Sequence, residues 1–146
     1  MKKVVIGASI ISFILATGFD TEDGAAIRQG VHIEWYRTVS PGNSGEAIFV
    51  WSDTRYGMRN IFAHKINQDG ELLWGESGAI VTDLPGRQED PVSITDGNGG
   101  VFVAWVDYRF DEQGDIFFQH LDNNGDILLD SNGVALAQVE GKQITI

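Results

Sequence analysis

The chain of 146 residues has no cysteine, only three prolines and two methionines. Without cysteine no disulfide can staple the fold, so stability must come from a packed core or from neighbouring repeats. Cationic residues are also scarce. Ten Lys and Arg face 21 Asp and Glu, for a formal net charge of −11. An acidic surface of this size repels nucleic acid and anionic lipid, and suits a soluble exported protein or one that meets cations. Long helical periods are scarce. The most extended apolar stretch, Val4 to Ala16, is too short to span a bilayer comfortably.

Several chemical signatures are missing as well. His32, His64 and His120 are spread out, with no H-x-x-x-H or similar metal spacing. There is no G-x-S-x-G nucleophile elbow and no phosphate loop. Carboxylates are plentiful enough for two to converge as a glycosidase pair, but no spacing singles out which ones. No catalytic residue, cofactor site or metal site is assigned from the sequence, and calcium is weighed only at one turn below.

The N-terminus has the form of a secretory signal. Lys2 and Lys3 precede the apolar run, and Ala16-Thr17-Gly18 offers a small-x-small cleavage site. Loss of the two lysines would take the net charge from −11 to −11 − 2 = −13. The alternative is an uncleaved N-terminal membrane anchor. The absence of a cysteine after the apolar run argues against a lipid-anchored start. The expectation is a signal peptide over 1–18, a polar leader over 19–30 and no membrane span once the signal is removed.

The mature sequence is organised around a motif that occurs twice. Trp51-Ser52-Asp53-Thr54-Arg55 and Trp105-Val106-Asp107-Tyr108-Arg109 share the pattern W-x-D-x-R, at an offset of 105 − 51 = 54. Glu46 to Val50 matches Gly100 to Ala104 before it. Ile61-Phe62 matches Ile116-Phe117, Gly70 matches Gly125 and Gly78 matches Gly133, now 55 apart, so one residue is inserted between Arg109 and Ile116. A period near fifty residues points to a repeat architecture. The 18 glycines fit short strands joined by tight turns.

Alternation places strands along both units. In the first, Val31 to Ser40 alternates, broken only by Arg37. Pro41 to Gly45 is a turn. Glu46 to Trp51 is a nearly continuous apolar run, as in a strand covered on both faces. Thr54 to Asn60 is a loop. Ile61 to Asn67 alternates, Gln68-Asp69-Gly70 is a hairpin signal, and Leu72 to Trp74 with Ala79 to Val81 reads as one interrupted outer strand. In the second unit the strands are Pro91 to Thr95, Val101 to Val106, Asp115 to Asp122 and the pieces from Ile127 to Ala137. The turns are Asp96 to Gly100 and Asn123-Asn124-Gly125, with a loop over Phe110 to Gly114. Gly141-Lys142-Gln143 then matches Gly86-Arg87-Gln88, and Ile144 to Ile146 opens another first strand. The repeats are expected over 31–85 and 86–140, with a third starting at 141–146.

Four short antiparallel strands in about fifty residues is the size of one propeller blade, and a propeller closes with about four to eight. The fold expected is therefore all-β: two four-stranded antiparallel propeller-type blades plus the start of a third, as part of a larger β-propeller. An open end would expose strand edges and an apolar face, an association hazard. The alternative is a self-contained β-sandwich of eight strands.

Within the motif, Asp53 and Arg55 are two apart and share a side of an extended chain, as do Asp107 and Arg109. An arginine fork can hold a carboxylate bidentately, and Asp115 is a second candidate partner, replaced by Asn60 in the first unit. Two readings remain: an anion-binding arginine on a ligand face, or an Asp–Arg tie that fixes the loop between the second and third strands. Recurrence in both units favours the tie, because a ligand site would differ from blade to blade. Trp51, Trp105 and Trp74 could stack on sugars, but packing is the expectation, since Leu129 replaces Trp74. Trp35 has no aromatic counterpart. Asp122, Asn124 and Asp126 put oxygens at alternate positions as a calcium loop does, but lack the downstream bidentate Glu, so a hairpin turn is expected.

W-x-D-x-R, a strand such as Asp115 to Gln119, the D/N-x-x-G turn and a Gly-centred outer strand together resemble the repeats of bacterial exported β-propeller proteins. These are similar in style to the sialidase-like and Asp-box propellers. The resemblance covers roughly Ile33 to Ile146. Asn67 to Trp74 departs from the Asp-box pattern S-x-D-x-G-x-T-W by lacking the Ser and the Thr. Sialidase-like catalysis draws an arginine triad, a Tyr–Glu pair and an acid Asp from several blades, which two blades do not supply. The resemblance implies a non-catalytic scaffold or binding module of a larger secreted, periplasmic or cell-surface protein. Its partners would be the remaining blades of the same polypeptide and a carbohydrate or protein at the cell surface. The alternative it implies is the N-terminal blades of a sialidase-like glycoside hydrolase.

Overall fold

The computed structural model describes residues 34–110 and 112–137. The expected signal peptide, the leader and the start of a third repeat lie outside them. The described residues are all-β, with two four-stranded antiparallel sheets and no helix. The first sheet holds β1 (Glu34–Pro41), β2 (Ala47–Asp53), β3 (Asn60–Ile66) and β4 (Ala79–Thr82). The second holds β5 (Gln88–Thr95), β6 (Val101–Asp107), β7 (Asp115–Leu121) and β8 (Val134–Ala137). In each sheet every strand pairs with the next along the chain. Among the described residues no helix is long and apolar enough to cross a membrane.

β2 (AIFVWSD) and β6 (VFVAWVD) are rich in β-branched and aromatic residues, which suit a pleated surface packed on both sides. Turn chemistry sets their neighbours. Asn67 Oδ1 accepts from the backbone N–H groups of Asp69 and Glu71, and Asp122 Oδ1 accepts from those of Asn124 and Asp126. Side-chain acceptors of this kind nucleate the tight turn. Gly70 and Gly125 follow with φ of 81° and 86°, where a side chain would be strained.

The registers of the two sheets agree. Trp51 lies opposite Phe62, and Trp105 opposite Phe117. The inserted residue is therefore absorbed in the loop between β6 and β7 and shifts no strand pair.

Three elements differ from the sequence expectation. β5 starts at Gln88, not Pro91, because a bulge between Glu89 and Val92 carries the strand past the proline. Asp90 takes up the kink with φ of 50°. In β1, Arg37 breaks the alternation because the register shifts between Trp35 and Arg37. The outer strand is reduced to Ala79–Thr82. Leu72 makes a single bridge to Ile66, and Ile127 makes the matching one to Leu121.

The sheets stack front to back. Ile48, Val50, Ile61 and Ala63 of the first sheet share one core with Val101, Val103, Trp105, Phe117 and Leu121 of the second. In the second sheet this face carries Trp105 and Asp107. In the first sheet Trp51 and Asp53 lie on the opposite face, since they alternate with Ile48 and Val50 along β2. The two contact faces are thus non-equivalent, as in a heterologous interface. A packing of two equivalent faces would bury either both Trp-bearing faces or both of the opposite faces against each other. β5 runs closest to the first sheet, chiefly along β1. There Ser93 Oγ is 2.7 Å from Ser40 Oγ.

Candidate functional site

Both W-x-D-x-R motifs close on themselves in the same way. Trp51 Nε1 donates to Asp53 Oδ2 at 2.9 Å, and Trp105 Nε1 to Asp107 Oδ2 at 3.0 Å. The Arg55 backbone N–H donates to Asp53 Oδ1 at 2.9 Å, and that of Arg109 to Asp107 Oδ1 at 2.9 Å. The guanidiniums then fold back. Arg55 Nη2 reaches Asp53 Oδ2 at 2.6 Å, and Arg109 Nε reaches Asp107 Oδ1 at 2.9 Å. Each plane covers the phenylalanine opposite its tryptophan, at 3.7 Å from the Phe62 ring centre and 4.3 Å from that of Phe117. The second arm of each fork holds the outer loop, through the carbonyls of Ser77 and Asn132.

The arginines are therefore occupied by their own chain. Their side chains are only 12% and 10% exposed, and the paired carboxylates 0%. Burial raises the Asp53 carboxyl, but the side-chain and backbone bonds from Arg55 and the bond from Trp51 outweigh it and leave the group below its usual range. Asp115 lies opposite Asp107 in the β6–β7 register and is buried.

Trp74 is buried, and its Nε1 donates to the Asn123 carbonyl of the second sheet. It caps the Asn123 to Gly125 turn, where a Cβ on Gly125 would lie 2.8 Å from its ring. The position asks for a packed apolar group, and its counterpart Leu129, between β7 and β8, is half-buried.

The loop edge beside the motifs carries charge and exposed aromatic surface. Arg59 bonds Glu89, which is also 3.3 Å from Arg87 Nε. Burial, and after it the Glu89 charge, raises Asp90 above the usual carboxylate range despite Arg59 and Arg87. Arg87 stacks 4.0 Å over Tyr108. A basin of about 590 Å³ is lined by Arg87, Tyr108, Arg109, Phe110 and Glu112. Tyr56 and Phe110 stand just after each motif arginine and are 61% and 64% exposed. Sequence reasoning passed over this pair, although the 54-residue offset relates them.

The turn oxygens weighed for calcium are partly engaged. Asp122 lies below its usual range chiefly because the amides of Asp126, Asn124 and Gly125 donate to it. Among the described residues no three His, Asp or Glu side chains gather closely enough to hold a metal ion.

Three buried polar residues in mid-strand also escaped the sequence reading. Lys65 Nζ donates to the carbonyls of Gly99 and Asn123 and to Asn123 Oδ1, at 2.7–3.1 Å, tying β3 to two turns of the second sheet. His64 Nε2 lies 2.8 Å from the Gly75 carbonyl, and Gln119 Nε2 donates to the Asp130 carbonyl at 2.8 Å. Both pairs hold an outer loop to the third strand of their sheet, and each position is 55 from its counterpart.

That correspondence gives a pH prediction. Burial, the largest cause, lowers His64 below its ordinary 6.5. A depressed histidine contributes stability that is fully present above pH 6.5 and lost as pH falls through the folded-state value. His64→Gln should keep the loop tie, as Gln119 does, and remove this acid slope. The urea midpoint should then fall less steeply below pH 6.5 than in the parent, with the neutral-pH stability within about 1 kcal/mol of the parent. An unchanged slope would remove His64 from the account.

No protein-family model, curated protein or solved structure matches the chain.

Proposed function

We propose that the chain is an exported, non-catalytic scaffold or binding module built of propeller-type blades, within a larger secreted or cell-surface protein. The carrying observation is the front-to-back stacking of two sheets with the same strand order and the same closed Trp–Asp–Arg motif. Units that pack through non-equivalent faces add in series, as blades and solenoid repeats do. The signal-like N-terminus and the net charge of −11 support export and argue against nucleic acid as a partner. The partners are the remaining blades of the same polypeptide. A carbohydrate or protein at the cell surface would be met at the loop edge, where Tyr56 and Phe110 project.

The motif arginines act as braces in this reading, with their donors turned inward. The purified chain should therefore give only background turnover on sialosides and on a panel of aryl glycosides. Sustained cleavage, abolished by substituting a loop-edge carboxylate such as Glu112, would replace the scaffold with the N-terminal part of a sialidase-like glycoside hydrolase.

A further inference from the structure

The second sheet has an open apolar face. Val92, Ile94, Phe102, Ala104 and Phe118 line a groove of about 310 Å³ there. Val92 is 39% and Ile94 65% exposed, and Phe102 stacks on Phe118 at 5.9 Å. At the motif offsets of 54 and 55, these residues correspond to Thr38, Ser40, Ile48, Val50 and Ala63 of the first sheet. Those are the residues of the face that the second sheet covers, with Val103, Trp105 and Phe117 on the covering side.

We propose that the groove is the docking face for a third W-x-D-x-R unit of the same chain, whose first strand opens at Gly141-Lys142-Gln143; this rests on the blade reading. Two observations select that occupant. First, the seating contacts of the second sheet lie at the matching segment. The Gln88 backbone N–H donates to the Arg59 carbonyl, and Gln88 Oε1 accepts from Asn60 Nδ2, which together set β5 on the first sheet. Gly86-Arg87-Gln88 recurs as Gly141-Lys142-Gln143 at 141 − 86 = 55, one unit further along. Second, the open face is more apolar than its counterpart. Thr38 and Ser40 are replaced by Val92 and Ile94, Ile48 and Ala63 by Phe102 and Phe118, whose rings stack on each other, and Val50 by the smaller Ala104. Such a depression fits a bulky apolar cover like the Trp105 face, and isolated apolar patches of this kind mark interaction surfaces.

The test extends the full chain by one unit, following Ile146 with a copy of residues 92–137. The extended chain should melt in a single transition, and the amides of Phe102, Ala104 and Phe118 should exchange at least about tenfold more slowly than in the parent. Ile94→Glu should abolish that protection in the extended chain and leave the melting of the parent unchanged, since Ile94 is exposed there. An added unit that melts on its own without protecting the groove would overturn the proposal. So would concentration-dependent protection in the parent, which would place a second copy on the face. Ile94→Cys gives a unique labelling site in the cysteine-free chain, so a polarity-sensitive dye there reads the cover directly. Its emission should shift to shorter wavelength in the extended chain, and emission equal to that of the parent would refute the docking. An added unit that fails to fold would overturn the proposal as well, since the groove is the face it is proposed to fold against. Glycosidase turnover tests the non-catalytic reading separately. Groove protection in a chain that cleaves sialosides would keep the docking and discard the scaffold.

Discussion

Replacing Asp107 with alanine should destabilise the protein by roughly 3–5 kcal/mol, a loss typical of removing one partner from a buried charged pair. Its carboxylate accepts from Trp105 Nε1, from the Arg109 backbone and from Arg109 Nε, and it is wholly buried. The substitution strands three donors at once, and one of them is a cation that also covers Phe117. Trp105 and Phe117 belong to the shared core of the two sheets, so loosening them reaches both. Trp51 lies on the outward face of the first sheet, so Asp53→Ala should cost less. Arg109→Ala should cost roughly 1–3 kcal/mol, because it leaves Asp107 two of its three donors. Urea unfolding of the three variants checks the order Asp107, Asp53, Arg109. Equal, small losses would mean that the motif does not brace the core. An unchanged midpoint for Arg109→Ala, with lost affinity for an anion, would make the arginine a ligand residue.

Lys65→Ala is the second large change, expected to cost on the order of 3 kcal/mol and to uncouple the sheets. The Nζ group is buried between them, supplies bonds to Gly99 and Asn123, and lies 3.4 Å from Glu46 Oε2. Alanine leaves the buried Gly99 carbonyl without the ammonium and the Asn123 carbonyl with Trp74 Nε1 as its remaining side-chain donor. Asn43 Nδ2, which bonds Asn123 Oδ1 from the same side, is exposed and cannot make up the loss. The readout is the m-value as well as the midpoint, because sheets that unfold separately broaden the transition and lower the apparent slope. A full m-value with a modest midpoint shift would show that apolar contact alone couples them.

The central strands were legible because their composition is unambiguous. β2, β3, β6 and β7 are apolar or alternating, and each ends at a Gly- or Asp-containing turn. The inward Asp–Arg tie was legible from a spacing of two and from recurrence. The start of β5 was hidden because Asp90-Pro91 looks like a break, while the bulge lets pairing resume beyond it. Lys65, His64 and Gln119 were illegible for a different reason. Their partners are mostly backbone carbonyls of distant loops, and a carbonyl has no sequence signature. The pairing of the open groove with a specific cover was also out of reach. It depends on which face of each sheet turns toward the other, and alternation alone assigns two faces without ordering them.

Front-to-back stacking has an evolutionary consequence. A duplication of one whole period brings along both halves of the joint: a surface that seats on the preceding sheet and a fresh surface for the one after. Such a chain can lengthen without inventing a new contact, since every added segment inherits its fit. The two periods differ at the rim, where one residue is inserted between β6 and β7 and Phe110 stands for Tyr56. They differ on the contact face too, where Val92 and Ile94 stand for Thr38 and Ser40. An added segment thus inherits the placement of the joint, while the packing within it can be retuned.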